Sequence, residues 1–274
     1  MQRGWLLVQD THMPFQTLNR LTNIRRRPRA NYQLGAYLAF VAGAVNAGGF
    51  LAISQYTSHM TGIISSIGDH VALSNVIPVL GGLSLLAAFV AGAIMTALLV
   101  NWGRRHKIHS EIALPLLLEA MVLLLFGLLG AYLHLYKPLT IPMIALLLCF
   151  VMGLQNAIMT NISRAEIRTT HMTGVVTDIG LELGRLMYWN HSKEGNKIHL
   201  VVANRNKLKA HLLIFSMFLF GGIVGAISFK KTGYISVVPI SISLVGISAL
   251  QIYRDLKRLF KLHWRRKRMA ATSQ

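Results

Sequence analysis

Acidic residues are scarce in this chain: nine Asp and Glu among 274 residues, against 28 Lys and Arg. Its one cysteine, Cys149, stands inside an apolar run, which excludes an intramolecular disulfide framework and any cysteine-rich zinc or iron–sulfur site. Charged residues amount to 14%, well below the roughly 25% of an ordinary soluble domain. The chain also lacks a G-x-S-x-G elbow, an H-E-x-x-H helix, a phosphate-binding loop and a dinucleotide fingerprint. No enzyme class is indicated, no catalytic residue is assigned, and neither a cofactor nor a metal is expected. What is abundant is apolar: 53% of residues are hydrophobic and the mean hydropathy is +0.49, the composition of an integral membrane protein.

The apolar residues fall in stretches at about 34–53, 79–101, 112–136, 140–162, 209–229 and 234–253, each near the ~20 residues that cross a ~30 Å hydrocarbon layer. Two further segments, about 61–77 and 173–189, are shorter and more polar. If neither crosses, 25 of the 28 Lys and Arg lie on the cytoplasmic side and only Lys137, Lys230 and Lys231 lie outside. If both cross, the basic loops at 104–107 and 164–168 move outside and the asymmetry weakens. The positive-inside tendency therefore favours six spanning helices plus two short re-entrant or interfacial helices, with both termini cytoplasmic. The formal charge of +19 would suggest nucleic acid on a soluble protein. Here the bases are segregated from the apolar stretches, so orientation accounts for them and no nucleic-acid partner is expected. Residues 1–30 form a basic cytoplasmic tail without the apolar core of a signal peptide. A second basic tail, 256–274, is expected to meet anionic lipid head groups.

Between the tails, 31–255 reads as one membrane domain built by duplication. Phe40-Val-Ala-Gly43-Ala-Val-Asn46-Ala lines up with Phe150-Val-Met-Gly153-Leu-Gln-Asn156-Ala, and Thr57-Ser-His59-Met-Thr61-Gly62 with Thr169-Thr-His171-Met-Thr173-Gly174. Farther on, Val90-Ala-Gly92-Ala-Ile94 resembles Ile223-Val-Gly225-Ala-Ile227, and Pro115 and Pro239 sit early in the following spans. The repeats are about 31–137 and 140–255. Each reads as span, short polar segment, span, span; three crossings is odd, so the second copy enters from the opposite face. The expected fold is all-α and polytopic with an inverted internal repeat, the plan of many secondary transporters.

His-Met-Thr-Gly opens each short segment after Ser58 or Thr170, hydroxyl residues suited to cap a helix. A helix start offers unpaired N–H groups and a positive dipole end, which favour anions. The expected substrate site is His59, Thr61, Gly62, His171, Thr173 and Gly174, with Asn46 and Asn156 from the preceding spans. The same residues could instead cap two re-entrant helices and close the fold, and the asparagines could serve as interhelical glue. Glu119 and Asp178 are the candidates for proton coupling, because carboxylates within hydrocarbon are costly. Glu182 is expected to pair with Arg185. The function expected is transport of a small anionic solute, with proton coupling open; the alternative is a non-transporting scaffold or regulator. A second copy of the chain is an open partner.

Gly43-Ala-Val-Asn46-Ala-Gly-Gly-Phe50 and Tyr56-Thr-Ser-His59-Met-Thr-Gly62, with their echoes at Gly153–Ala157 and Thr169–Gly174, give the chain a recognisable signature. It resembles the YoaK-like family of bacterial multi-pass membrane proteins over about residues 31–255. That family is a domain of unknown function. The resemblance implies a bacterial inner-membrane location, and it transfers no substrate and no functional residue.

Overall fold

A computed structural model describes residues 28–106, 111–132, 137–163, 169–188 and 201–271, and every regular element among them is helical. Helix α1 spans Pro28–Ile53, α2 Met60–Ala72, α3 Val76–Arg105 and α4 Ala113–Tyr132. Then come α5 Lys137–Ser163, α6 Met172–Met187, α7 Arg205–Thr232, a 3₁₀ turn Gly233–Val237, and α8 Val238–Ala271. Pro28 opens α1, where its missing N–H costs nothing. Gly233, at φ +63°, ends α7 in a conformation that other residues adopt with strain. The last apolar stretch thus begins in a 3₁₀ turn rather than in a helix at 234. The N-terminal tail up to residue 27, the basic loop at 164–168 and residues 189–200 lie outside the described residues.

Four stretches are long and apolar enough to cross a membrane: Tyr32–Ile53, Val76–Arg105, Ile141–Ser163 and Arg205–Asp255, the last holding both α7 and α8. The shorter Ala113–Leu128 in α4 is apolar as well. Helices α2 and α6 have 13 and 16 residues, about 20 and 24 Å at 1.5 Å per residue.

Glycine sets the closest helix contacts. A methyl group built on Gly43 would strike the Phe218 carbonyl oxygen, and one on Gly221 would strike that of Phe40. The same exchange joins α3 to α5: Gly92 faces the Phe150 carbonyl and Gly153 that of Phe89. Helix α1 therefore packs on α7 and α3 on α5, with backbones too near for any side chain. This geometry corrects the sequence register. The partner of Gly92 in the second half is Gly221, three residues after Phe218 as Gly92 is three after Phe89. Gly225, one turn on, meets the Ala44 backbone instead.

Contact order also gives helix directions. Phe40 with Gly221, Ala44 with Gly225 and Gly48 with Phe229 rise together, so α1 and α7 are parallel. Leu85 clusters with Ala145 and Cys149, and farther along Thr96 Oγ1 donates to the Leu154 carbonyl at 3.0 Å, so α3 and α5 are parallel too. Leu38 bonds Gln155 whereas Gly49 meets Leu148, so α1 and α5 are antiparallel. By the same reasoning α4 and α8 are antiparallel, Gly127 facing Val238 and Gly130 facing Tyr234. Accordingly α1 ends and α3 begins at one end of the bundle, and α2 leaves and returns to that end. Helix α6 does the same at the other. The apolar core lies where α1, α4 and α5 meet, around Leu38, Leu116, Leu123, Leu148 and Met152.

Candidate functional site

A cavity of about 520 Å³ opens between the two short helices. Of the residues expected at a substrate site, Asn46, His59, Thr61, Asn156, His171 and Thr173 line it. Two motifs 112 positions apart in the chain thus meet because α2 and α6 both start there. Gly62 and Gly174 do not line the cavity. Each lies beneath the imidazole of its own motif, where an added methyl would come within 2.6 Å of His59 Nδ1 or 2.5 Å of His171 Nδ1. Their role is to let the histidine ring fold over the first turn.

Capping differs from the sequence expectation. The residue preceding each helix is His59 or His171 itself, and neither side chain caps. Ser58 is drawn elsewhere: its Oγ donates to Asn46 Oδ1 at 3.0 Å and its N–H reaches the same oxygen at 3.2 Å. Asn46 therefore holds the α1–α2 connection in place rather than a neighbouring span. The first-turn N–H groups of α2 and α6 are left without a side-chain cap beside the cavity, two positive dipole ends converging on one space.

Sequence reasoning missed the cavity's aromatic and thioether walls, Tyr56, Phe89, Phe218, Met60 and Met172, together with Thr160. Phe89 and Phe218 were findable: each stands three residues before the glycine whose register the structure corrects. Thr57 and Thr169, matched positions in the two motifs, are both buried with hydroxyls that lack a partner among the described residues.

The two acids proposed for proton coupling lie outside the cavity lining and differ sharply. Glu119, in α4, is fully buried. Asp178, in α6, is partly exposed and sits 3.4 Å from Lys207 Nζ and 3.5 Å from His211 Nε2. Among the described residues, no cluster of His, Cys, Asp or Glu could hold a metal ion.

Glu182 and Arg185 form the expected i,i+3 pair at 2.7 Å. The other Glu182 oxygen accepts the backbone N–H of Asn204 at 2.7 Å, and Asn204 in turn caps α7 by accepting from the Lys207 N–H at 3.0 Å. One buried carboxylate thereby locks the end of α6 to the start of α7. Glu182→Ala is expected to cost about 1–3 kcal/mol, the low end applying because Arg185 is half-exposed. Glu182→Gln, which keeps an acceptor for Asn204, should lose less. Thermal melts of both variants in detergent check this order; equal losses would assign the effect to the ion pair alone.

A helical bundle with membrane-length apolar stretches and glycine-mediated close packing defines an integral membrane protein. Over residues 34–250 the chain matches a protein family described as of unknown function, DUF1275. The chain belongs to that family. It is 29% identical over 158 residues to UPF0700 transmembrane protein YoaK of Bacillus subtilis (strain 168), a match covering 57% of this chain and 69% of that protein. No solved structure matches it.

Proposed function

We propose that this protein is an inner-membrane carrier for a small anionic solute, bound between the opposed starts of α2 and α6. The observation that carries the reading is the cavity itself, where two copies of one motif bring His59, Thr61, His171 and Thr173 around a common space. Uncapped helix starts favour negative charge. The imidazoles supply donors, and Asn46 and Asn156 supply amide groups at the rim. Six crossings arranged as an inverted repeat suit this role. The helix directions support them, since α2 and α6 return to the ends they left, and so does the matched exchange of contacts between α1 and α7 and between α3 and α5. In this plan both termini are cytoplasmic, and the two halves rock about the fixed site.

The test is uptake into proteoliposomes of labelled nitrate, inorganic phosphate and succinate, with binding followed by thermal stabilisation. His59→Ala with His171→Ala should weaken binding of the transported anion by about tenfold or more, the loss expected when two charge-assisted donors go. Unchanged flux of every responsive anion would remove the site assignment.

A second reading, a scaffold or regulator acting through its basic ends, draws on α8. Its 34 residues reach about 51 Å, well beyond a ~30 Å hydrocarbon core, and carry the basic run of 256–268. That reading requires truncation at 256 to abolish the cellular phenotype while the histidine pair is dispensable.

A further inference from the structure

Among the described residues one acid stands apart. Glu111 pairs with Arg104, Glu182 with Arg185, and Asp178 with Lys207 and His211, while Asp69 is exposed at the end of α2 and Asp255, buried in α8, has an interaction of its own. Glu119 has neither solvent nor a partner: it is 0% exposed, and both carboxyl oxygens lack a hydrogen bond. Leu116, Ala120 and Leu123 on its own helix belong to the main apolar cluster. An unpaired anion in such surroundings is untenable, whereas the neutral acid fits.

Among the described residues, no cation of the elements packed against α4 is paired with Glu119. Their titratable groups are Arg104, Arg105 and His106 near the end of α3, Cys149 of α5, Tyr234 of the 3₁₀ turn, and Tyr253, Arg254, Asp255 and Lys257 of α8. The antiparallel register of α4 and α8 sets Glu119 roughly level with Gly246, about two turns short of Tyr253. Ser243 of α8 is hydrogen-bonded to the Tyr37 hydroxyl of α1. Ser243 follows Pro239 by four residues as Glu119 follows Pro115, so the duplication sets an acid and a hydroxyl at matched positions. The residue matching Tyr37 in the second half is Leu147.

The neighbouring α1–α5 seam runs to the cavity. Gln155 Nε2 donates to the Leu38 carbonyl at 3.0 Å, one residue from Tyr37, and the next residue along α5 is the cavity-lining Asn156.

We infer that Glu119 is, among the described acids, the proton-binding site of the carrier, separate from the solute cavity, and that Asp178 serves a structural role instead. The inference rests on the transport reading above. In one conformation a proton from water binds a Glu119 carboxyl oxygen, and in the other the O–H bond breaks and the proton leaves to water on the opposite side. One proton carried on Glu119 per cycle lets a monovalent anion cross without net charge. Asp178, paired with Lys207 and His211, acts instead as a clamp between α6 and α7.

The experiment uses the full chain in lipid. Infrared spectra at neutral pH should contain a carboxylic-acid C=O band that Glu119→Gln removes and Asp178→Asn leaves. Its absence from the wild type, or its survival in Glu119→Gln, overturns the proposal. In pyranine-filled proteoliposomes given nitrate, inorganic phosphate or succinate in turn, the wild type should acidify as its anion enters. Glu119→Gln should lose that acidification while melting with the wild type; proton entry retained in this variant also overturns it. Should no anion of the panel move in the wild type, the carrier reading is what fails, and the infrared band still decides whether Glu119 holds a proton.

Discussion

Gly153→Leu is expected to remove nearly all folded protein from the membrane, and Gly180→Ala to leave it untouched. At Gly153 the first added carbon already collides with the Phe89 carbonyl group, and the Phe89 Cα lies 3.1 Å away. The obstacle is backbone on both sides, so no rotamer change relieves it and α3 must separate from α5. Overpacking a core with side chains that can yield costs typically 1–3 kcal/mol. Here the expected loss is about 3 kcal/mol or more, enough to lower the folded fraction of a marginal membrane protein by a hundredfold. Because Phe89 also lines the cavity, any protein that survives should bind no anion. Gly43→Leu and Gly221→Leu should behave alike, since each meets a carbonyl of the facing helix. Gly180 offers the opposite case: a methyl there meets nothing within 4 Å, and alanine is favoured over glycine in a helix by about 0.5–1 kcal/mol. Size-exclusion profiles of fluorescent fusions in detergent measure all four. A monodisperse peak from Gly153→Leu equal to the wild type would mean that the helices are not this close.

Hydropathy alone exposed most of the helical stretches, because a bilayer imposes a length and composition that each span must meet on its own. The doubled His-Met-Thr-Gly was equally legible, being written in the identities of residues. Which helix each span packs against was not. The exchange of α1 with α7 and α3 with α5 depends on glycine meeting backbone across the bundle, and one glycine reads like another. Letter matching accordingly chose Gly225 over Gly221, a shift of one turn that only the facing carbonyls resolve. Capping failed for a related reason. Ser58 has a good capping side chain, but Asn46, twelve residues earlier, competes for it. Among the acids, the sequence marks Glu119 and Asp178 as equivalent risks. Lys207 and His211, about thirty residues downstream of Asp178, make them different.

Sidedness labelling should give an all-or-none pattern at three positions. In a Cys149→Ser background, Leu73→Cys is expected to react with an impermeant maleimide only in right-side-out vesicles. His106→Cys and Val202→Cys should react only in inside-out vesicles. Leu73 follows α2 and Val202 precedes α7, both well exposed, while His106 ends α3. The pattern follows from direction and length together. Helix α1 is antiparallel to α5 and α3 is parallel to it, so α1 and α3 oppose each other and the chain between them must finish at the end where it began. At about 20 Å, α2 is also too short to span a ~30 Å core. Charge favours the same arrangement, because Arg104 and Arg105 in the last turn of α3 then lie in the cytoplasm. If α2 and α6 did cross, Leu73 and His106 would exchange sides while Val202 stayed inside. The two plans thus differ at two sites and agree at the third, which serves as the control for vesicle orientation. Reversal at Leu73 and His106 would place the two motif-bearing helices through the membrane, and the opposed half-helices on which anion capture depends would no longer exist.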